Sequence, residues 1–359
     1  MKVIVVGAGI IGSLIAYRLV QAGAEVTLID AGLPAHAASG ASFGWINASF
    51  YADNDHFNLR AAGIEAHRRL AADLESDAVQ WPGCLCWEHQ GDALESQYKA
   101  LKDLGYTVDI ISEVTFARIE PFAVAPSRAL YFPGEGCVDL AALTCEAIAS
   151  AASGGLRLIM GHAVTGLSDA GGRISGVETV SGRIAADRVV VAAGVATEAI
   201  LKGVGVALPM LKRPGLMVRS EPLKPLLRHI LVSPVQELRQ TPQGHLLAPA
   251  AASHQSDASE SIDQTPDVLA DRTMQRVSAL IGRDVAWEQV TLAHRPVPHD
   301  GLPAVGACGP EGLYVTTMHS GATLAPLVAE MAASEIMQNA LGNEQSALLA
   351  PYRPARFTD

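Results

Sequence analysis

Val3-Ile4-Val5-Val6-Gly7-Ala8-Gly9-Ile10-Ile11-Gly12, continued by Ser13 to Gly23 and then Glu25-Val26-Thr27-Leu28-Ile29-Asp30, decides the fold. The β-branched run Val3 to Val6 suits a buried parallel strand. Leu14, Tyr17 and Leu19 have helical spacing, which predicts a helix over Ser13 to Ala22 with Gly23 as its C-terminal cap. Glu25 to Ile29 is a second strand, and Asp30 stands at its end. Each part of this unit has a task in binding a dinucleotide. Gly7 permits the tight turn, Gly9 lets the backbone approach a pyrophosphate, and Gly12 lets helix and strand pack closely. The helix N-terminus offers amides and partial positive charge to phosphates. Asp30, 18 residues beyond Gly12, is placed to accept ribose hydroxyls. The motif alone does not choose between NAD and FAD; its place at residue 1 and the loop that follows favour FAD. In that loop, Ser39-Gly40-Ala41-Ser42 offers small residues and hydroxyls to a pyrophosphate and a ribityl chain.

The 359 residues allow two domains, or one large fold with an insert. Hydrophobic residues at 49% against 18% charged exclude a disordered chain. Lys and Arg number 26 against 37 Asp and Glu, a net charge of −11, which argues against nucleic acid as a partner. The five cysteines show no zinc-like pattern, so no metal site is expected, and reduced thiols are. Met1 to Val20 lacks a basic leader and a cleavage site, and no stretch is long and uncharged enough to span a membrane. The expectation is a soluble cytoplasmic protein, with peripheral contact to the inner face of a membrane left open.

Further along, Leu156 to Met160 is a strand. Ala163 to Leu167 and Arg173 to Thr179 form a hairpin around Asp169-Ala170-Gly171-Gly172, and Asp187 to Val191 is a strand closing on Ala192-Ala193-Gly194. Near the C-terminus, the strand Gly312 to Thr317 leads through Met318-His319-Ser320-Gly321 into a helix from Thr323 to Asn339, with Pro326 in its first turn. That helix N-terminus is a second anion site, suited to charge at a flavin N1–C2=O edge.

With these residues in hand, the chain resembles the FAD-dependent D-amino-acid oxidase family, in the branch of glycine oxidase, sarcosine oxidase and D-amino-acid dehydrogenase. The resemblance rests on the N-terminal fingerprint combined with Arg295-Pro296, Asp300-Gly301-Leu302-Pro303, Gly306 and the His319-Ser320-Gly321 turn before Leu324-Ala325-Pro326. Phe132-Pro133 and Gly136-Cys137-Val138-Asp139 match the family's link into the next helix. It implies that Gly7, Gly9, Ile10, Ile11, Gly12, Asp30 and Ala31 hold the adenine dinucleotide half, and that Ser39, Gly40, Ala41 and Ser42 hold the pyrophosphate and ribityl chain. Val164 matches the adenine-contacting valine, with Ala193 and Gly194 closing that pocket. Gly301, His319, Ser320, Gly321, Ala322 and Thr323 lie along the isoalloxazine. Arg295 becomes the carboxylate anchor, since a planar guanidinium grips a carboxylate with two hydrogen bonds; the bland alternative is a structural pairing with Asp300 or another acid. His319 and His245 complete the catalytic candidates, the latter where related oxidases place an aromatic residue over the substrate.

This chain also departs from its relatives. Glycine oxidase carries an Arg within the turn corresponding to Ser320-Gly321-Ala322, and this chain has none. No Cys stands near His294-Arg295, Cys308 comes about a dozen residues later, and His36 is read as a solvent-side loop residue, so FAD is expected to be non-covalent. The expected fold is α/β (α+β overall): a Rossmann-type FAD-binding domain in three pieces, 1–79, 137–214 and 293–359. An antiparallel-sheet substrate domain is inserted as 80–136 and 215–292. Ser253 to Asp263 is read as a solvated loop, with a lid as the sharper alternative. The reaction implied is hydride transfer to flavin N5 from a small amino acid or N-alkyl amino acid, the imine then hydrolysing. Oxygen, a quinone or a partner flavoprotein is the acceptor, and homo-oligomerisation is left open. Two other readings are a 2-hydroxy acid oxidoreductase and a flavin-binding subunit of a larger complex.

Overall fold

A computed structural model of the chain describes residues 1–252 and 257–357. The strand Lys2–Val6 lies at the centre of a six-stranded sheet, in the order Ala304–Ala307, Leu313–Thr317, Arg188–Val191, Lys2–Val6, Glu25–Ile29, Arg157–Ile159. All its pairings are parallel except that between Ala304–Ala307 and Leu313–Thr317. From the central strand the chain first winds outward one way, to Glu25–Ile29 and Arg157–Ile159. It then returns to Arg188–Val191 on the other side, so the sheet has its switch point where Gly7 meets Ala192. Val3 and Val5 face the helices Ile10–Gln21, Leu140–Ser153 and Gly321–Ile336, while Ile4 and Val6 face a three-stranded sheet, Val164–Asp169, Ile174–Thr179 and Gly182–Ala185. A strand covered on both faces needs an unbroken apolar run, which explains Val-Ile-Val-Val.

The second sheet has eight strands, in the order Trp287–His294, Pro214–Ser220, Leu246–Pro249, Glu237–Gln240, Ile230–Val232, Cys84–Cys86, Arg128–Phe132, Asp109–Ser112. It is antiparallel except at the seam where Ile230–Val232 runs parallel to Cys84–Cys86 and two distant chain segments join. Along Pro214–Ser220 burial alternates residue by residue. Leu216 and Val218 fall on the more buried set, and Val218 packs with Leu246, Ala248 and the helix Pro266–Ile281. Gly215 and Met217 belong to the other set and look toward the six-stranded sheet across a cavity.

The C-terminal helix begins at Gly321, two residues before the expected start, and ends at Ile336. Pro326 therefore sits in the second turn, where the absent N–H deprives the Ala322 carbonyl of its helical donor. The protein supplies a replacement: His67 on the helix Asn54–Leu74 donates from Nε2 to Ala322 O at 2.7 Å. Burial lowers the His67 pKa to about 4, partly countered by this bond, so the ring is neutral with its proton on Nε2. The helices approach closely because a Cβ at Gly63 would stand 2.7 Å from Thr323 O. His67→Leu should leave the carbonyl unpaired and cost about 1–2 kcal/mol. A urea titration checks this, and an unshifted midpoint would mean that Ala322 O finds another donor.

Among the described residues no helix is long and apolar enough to cross a membrane, and the five cysteines are unpaired thiols.

Candidate active site

A cavity of ≈ 570 Å³ opens at the switch point of the six-stranded sheet, and its walls extend from Gly7 and Gly9 to Arg295 under the second sheet. Ligands bind at such points because the loops leaving adjacent strands diverge there. Gly7 has φ +109°, and a Cβ on it would lie 2.3 Å from Ala192 O, so both the turn and the strand contact require glycine. At Gly12 a Cβ would stand 1.9 Å from Gly7 O; this residue is a packing contact rather than part of the wall. Gly9 differs: among the described residues its Cβ would meet only the Ser39 hydroxyl, 3.1 Å away, and its backbone is bare toward the cavity it lines.

Asp30 is held by two backbone donors, Ala8 N at 2.6 Å and Gly32 N at 2.7 Å, which fixes its carboxylate at the cavity wall with lone pairs to spare for hydroxyls. Ser39 Oγ accepts from Ile10 N at 3.0 Å and ties the loop to the helix N-terminus. Ile10, Ile11, Ala31, Ser39, Ala41, Ser42, Val164, Ala193 and Gly194 all line the cavity, as do His319, Ser320, Gly321, Ala322 and Thr323. His36 stands at its rim, half exposed, its Nδ1 2.7 Å from Leu33 O.

Three further expected positions, besides Gly12, lie elsewhere. Gly40 is exposed, and a Cβ there would lie 2.3 Å from Ala35 O. Gly301 sits in an exposed turn beside Asp300, whose carboxylate is taken by Arg356 at 2.7 Å. His245 is turned to Ser220 O at 2.9 Å and Glu288 at 3.3 Å, away from the wall. The reason is strand direction. Pairing of Met217 with Pro249 puts the Pro249 end at the cavity and leaves His245 at the remote end.

At the far end the roof is Gly215, Leu216, Met217, Pro249 and Ala251, with Arg295 and Asp257 among them. Arg295 Nη2 donates to Asp257 Oδ2 at 2.7 Å and to Pro214 O at 3.3 Å. The acid is Asp257 and not Asp300. Burial by itself would raise the Asp257 carboxyl, but the Ser259 hydroxyl and amide with the Arg295 guanidinium more than offset this and hold it below its usual range. Of the segment expected as a loop or lid, residues 253–256 lie outside the described residues; Glu260 pairs with Arg213 at 3.2 Å.

Beneath the roof, Phe43, Gly44 and Trp45 reach the cavity together with Arg60, which no motif announced. Trp45 Nε1 donates to Glu135 at 2.9 Å, and the same carboxylate accepts from Tyr106 Oη at 3.0 Å and Ser49 N at 3.3 Å. Burial raises the Glu135 pKa to about 7 despite these bonds. A usable signal for Arg60 was present in the sequence: on the helix Asn54–Leu74 it shares a buried stripe with Phe57, Ile64 and His67, at positions where a surface cation is out of place.

A dinucleotide fold with a long apolar-walled cavity, a nucleotide end and an arginine at the other end define a cofactor-dependent oxidoreductase. The chain belongs to the FAD dependent oxidoreductase (DAO) family, whose model matches residues 2–335. It is 27% identical to glycine oxidase of Pseudomonas aeruginosa, over 99% of this chain and 98% of that protein. It is 25% identical to D-amino acid dehydrogenase of Rhizobium rhizogenes, over 89% and 91%. A solved glycine oxidase from Geobacillus kaustophilus shares the fold with a TM-score of 0.88 at 23% identity, covering 99% of both chains. L-proline dehydrogenase from P. horikoshii does so with 0.86 at 19%, covering 99% of this chain and 97% of that one. The residues present suit FAD: bare backbone at Gly9, a carboxylate fixed at Asp30 and a cavity continuing to the sheet roof.

Proposed function

We propose that the chain oxidises the C–N bond of a small amino acid or N-alkyl amino acid, with Arg295 as the carboxylate anchor. The observation that carries this reading is the Arg295 guanidinium at the end of the FAD cavity, already bonded to a carboxylate, that of Asp257 at 2.7 Å. A group that binds an internal carboxylate there binds that of a substrate by the same charge-assisted hydrogen bonds once Asp257 yields its place. FAD, held non-covalently at Gly7, Gly9, Ile10, Asp30, Ser39, Ser42 and Val164, would supply a two-electron acceptor for the C–H bond beside nitrogen. The chain contributes orientation and a roof: Arg295 fixes the carboxylate, while Met217 and Pro249 cover the substrate beside it. His319 lines the cavity and is assigned to substrate or ring contact. The imine then hydrolyses to a keto acid and ammonia or a primary amine.

The test is an anaerobic titration of the yellow holoenzyme with D- and L-amino acids, glycine, N-methyl amino acids, proline derivatives and 2-hydroxy acids. Loss of the visible flavin band with one amine class, with ammonia or amine released, is the expected result. Bleaching by a 2-hydroxy acid and by no amine would overturn the assignment. Readmitting air then separates oxygen from a quinone or partner flavoprotein as acceptor.

A further inference from the structure

Among the described residues Arg60 is a cation with no acid of its own. Its residue is 3% exposed, yet it lines the cavity. Nε donates to Asn47 O at 3.0 Å, Nη2 to Asn47 Oδ1 at 2.6 Å and Nη1 to Ser320 Oγ at 2.8 Å, all neutral acceptors. Among the described residues no carboxylate lies within ion-pair distance of it. Glu135, whose charge it feels, gives its oxygens to Trp45, Tyr106 and Ser49 instead. Burial lowers the guanidinium pKa only to about 10, so it is charged at neutral pH. A buried charge held by neutral groups is expensive unless something anionic shares its site.

The surroundings point the same way. Ser320 is the N-cap of the helix Gly321–Ile336, and its hydroxyl makes no capping bond. A hydroxyl that accepts from Arg60 keeps its own proton to donate. Ser320, Gly321, Ala322 and Thr323 form the cavity wall beside it, at the positive end of a 16-residue helix. Next to the guanidinium, the Asn47 Nδ2 donor is buried with no partner. The cluster thus offers positive charge and donors in excess of acceptors.

We propose that Arg60, acting through Ser320 and the first turn of that helix, is the counter-charge for the negative charge that reduction places on the FAD isoalloxazine in this chain. It is a positioning residue that sets the cofactor's electron affinity. The nucleotide half of FAD is assigned to other residues, Gly7, Gly9, Asp30, Ser39 and Val164, so loss of the proposed role at Arg60 should leave most of the flavin bound.

The experiment uses holoenzyme of wild type, Arg60→Lys, Arg60→Met and Ser320→Ala, with flavin stoichiometry measured first. Two readouts follow that need no substrate: the two-electron midpoint potential and the affinity for sulfite, an anion probe of flavin electrophilicity. Arg60→Met is expected to weaken sulfite binding tenfold to hundredfold and to lower the potential by about 30–60 mV, at 29.6 mV per tenfold for two electrons. Arg60→Lys should recover most of this, and Ser320→Ala should lose at least threefold in sulfite affinity. Should Arg60→Met fail to fold, Ser320→Ala decides alone, and wild-type values in it overturn the proposal. Full flavin content with unchanged potential and sulfite affinity in Arg60→Met also overturns it, as does a raised KM with both readouts unchanged, which would assign the guanidinium to substrate. A colourless Arg60→Lys protein would overturn the separation of this role from FAD binding.

Discussion

Arg295→Met is expected to lower kcat/KM for the preferred amino acid about 30- to 1000-fold while leaving FAD bound. The anchor offers two charge-assisted hydrogen bonds in a site shielded from water, and losing them forfeits about 2–4 kcal/mol, or a factor of ten for each 1.4 kcal/mol. Asp257→Asn gives the opposite sign in KM. In the substrate-free protein Asp257 holds Arg295 at 2.7 Å, so a substrate carboxylate must displace it. Removing that competitor should lower KM several-fold. A purely structural Arg295–Asp257 pair predicts something else: both variants lose stability alike, and neither changes KM. Steady-state kinetics of the two variants, with thermal melts alongside, separate these outcomes.

Glu135→Gln is expected to change the pH dependence of stability strongly. The sign follows from the proton balance. The folded carboxyl, pushed by burial to about 7 against an ordinary 4.5, holds its proton where the unfolded chain has released it. Its contribution to stability is therefore complete at acid pH and is lost as pH rises through 4.5 to 7, by on the order of 3 kcal/mol. The buried histidines work in the other direction. His56 and His67 sit at about 4 against 6.5, lowered by burial and, at His56, by Arg60 as well. They favour unfolding as pH falls from 6.5 toward 4. Between 4.5 and 6.5 the two effects oppose one another in the wild type. With Gln at 135 the histidines act alone, so the variant should gain on the wild type by up to that amount between pH 5 and pH 8. Thermal melts at the two pH values measure the gain, and parallel profiles would mean that Glu135 titrates as an ordinary carboxylate.

The strand–glycine–helix–strand unit that lines one end of the cavity was legible because it is local. The glycines, the helix and Asp30 follow one another within thirty residues, and hydrophobic period changes from strand to helix between them. Strand Glu25–Ile29 falls where its apolar run places it. Arg295 was reached through the Arg-Pro motif and does line the cavity; its acid partner, read as Asp300 or another acid, is Asp257. His245 was misplaced because alternation gives the face of a strand and not which of its ends meets the cavity; the pairing of Met217 with Pro249 settles that.

By itself the sequence determined the dinucleotide unit and the inserted antiparallel sheet, which short-range turn chemistry and period carry, and pointed to the family through the resemblance of its motifs. Only the tertiary structure decided that Arg60 reaches the cavity from a helix far from any motif. It likewise brought Glu135 under Trp45, set Asp257 on Arg295 and repaired the Pro326 gap with His67. The physical reason is shared by all four. Each joins groups 38 to 260 residues apart, as Arg295 with Asp257 and Arg60 with Ser320, and a buried polar group's partner is chosen by proximity after packing.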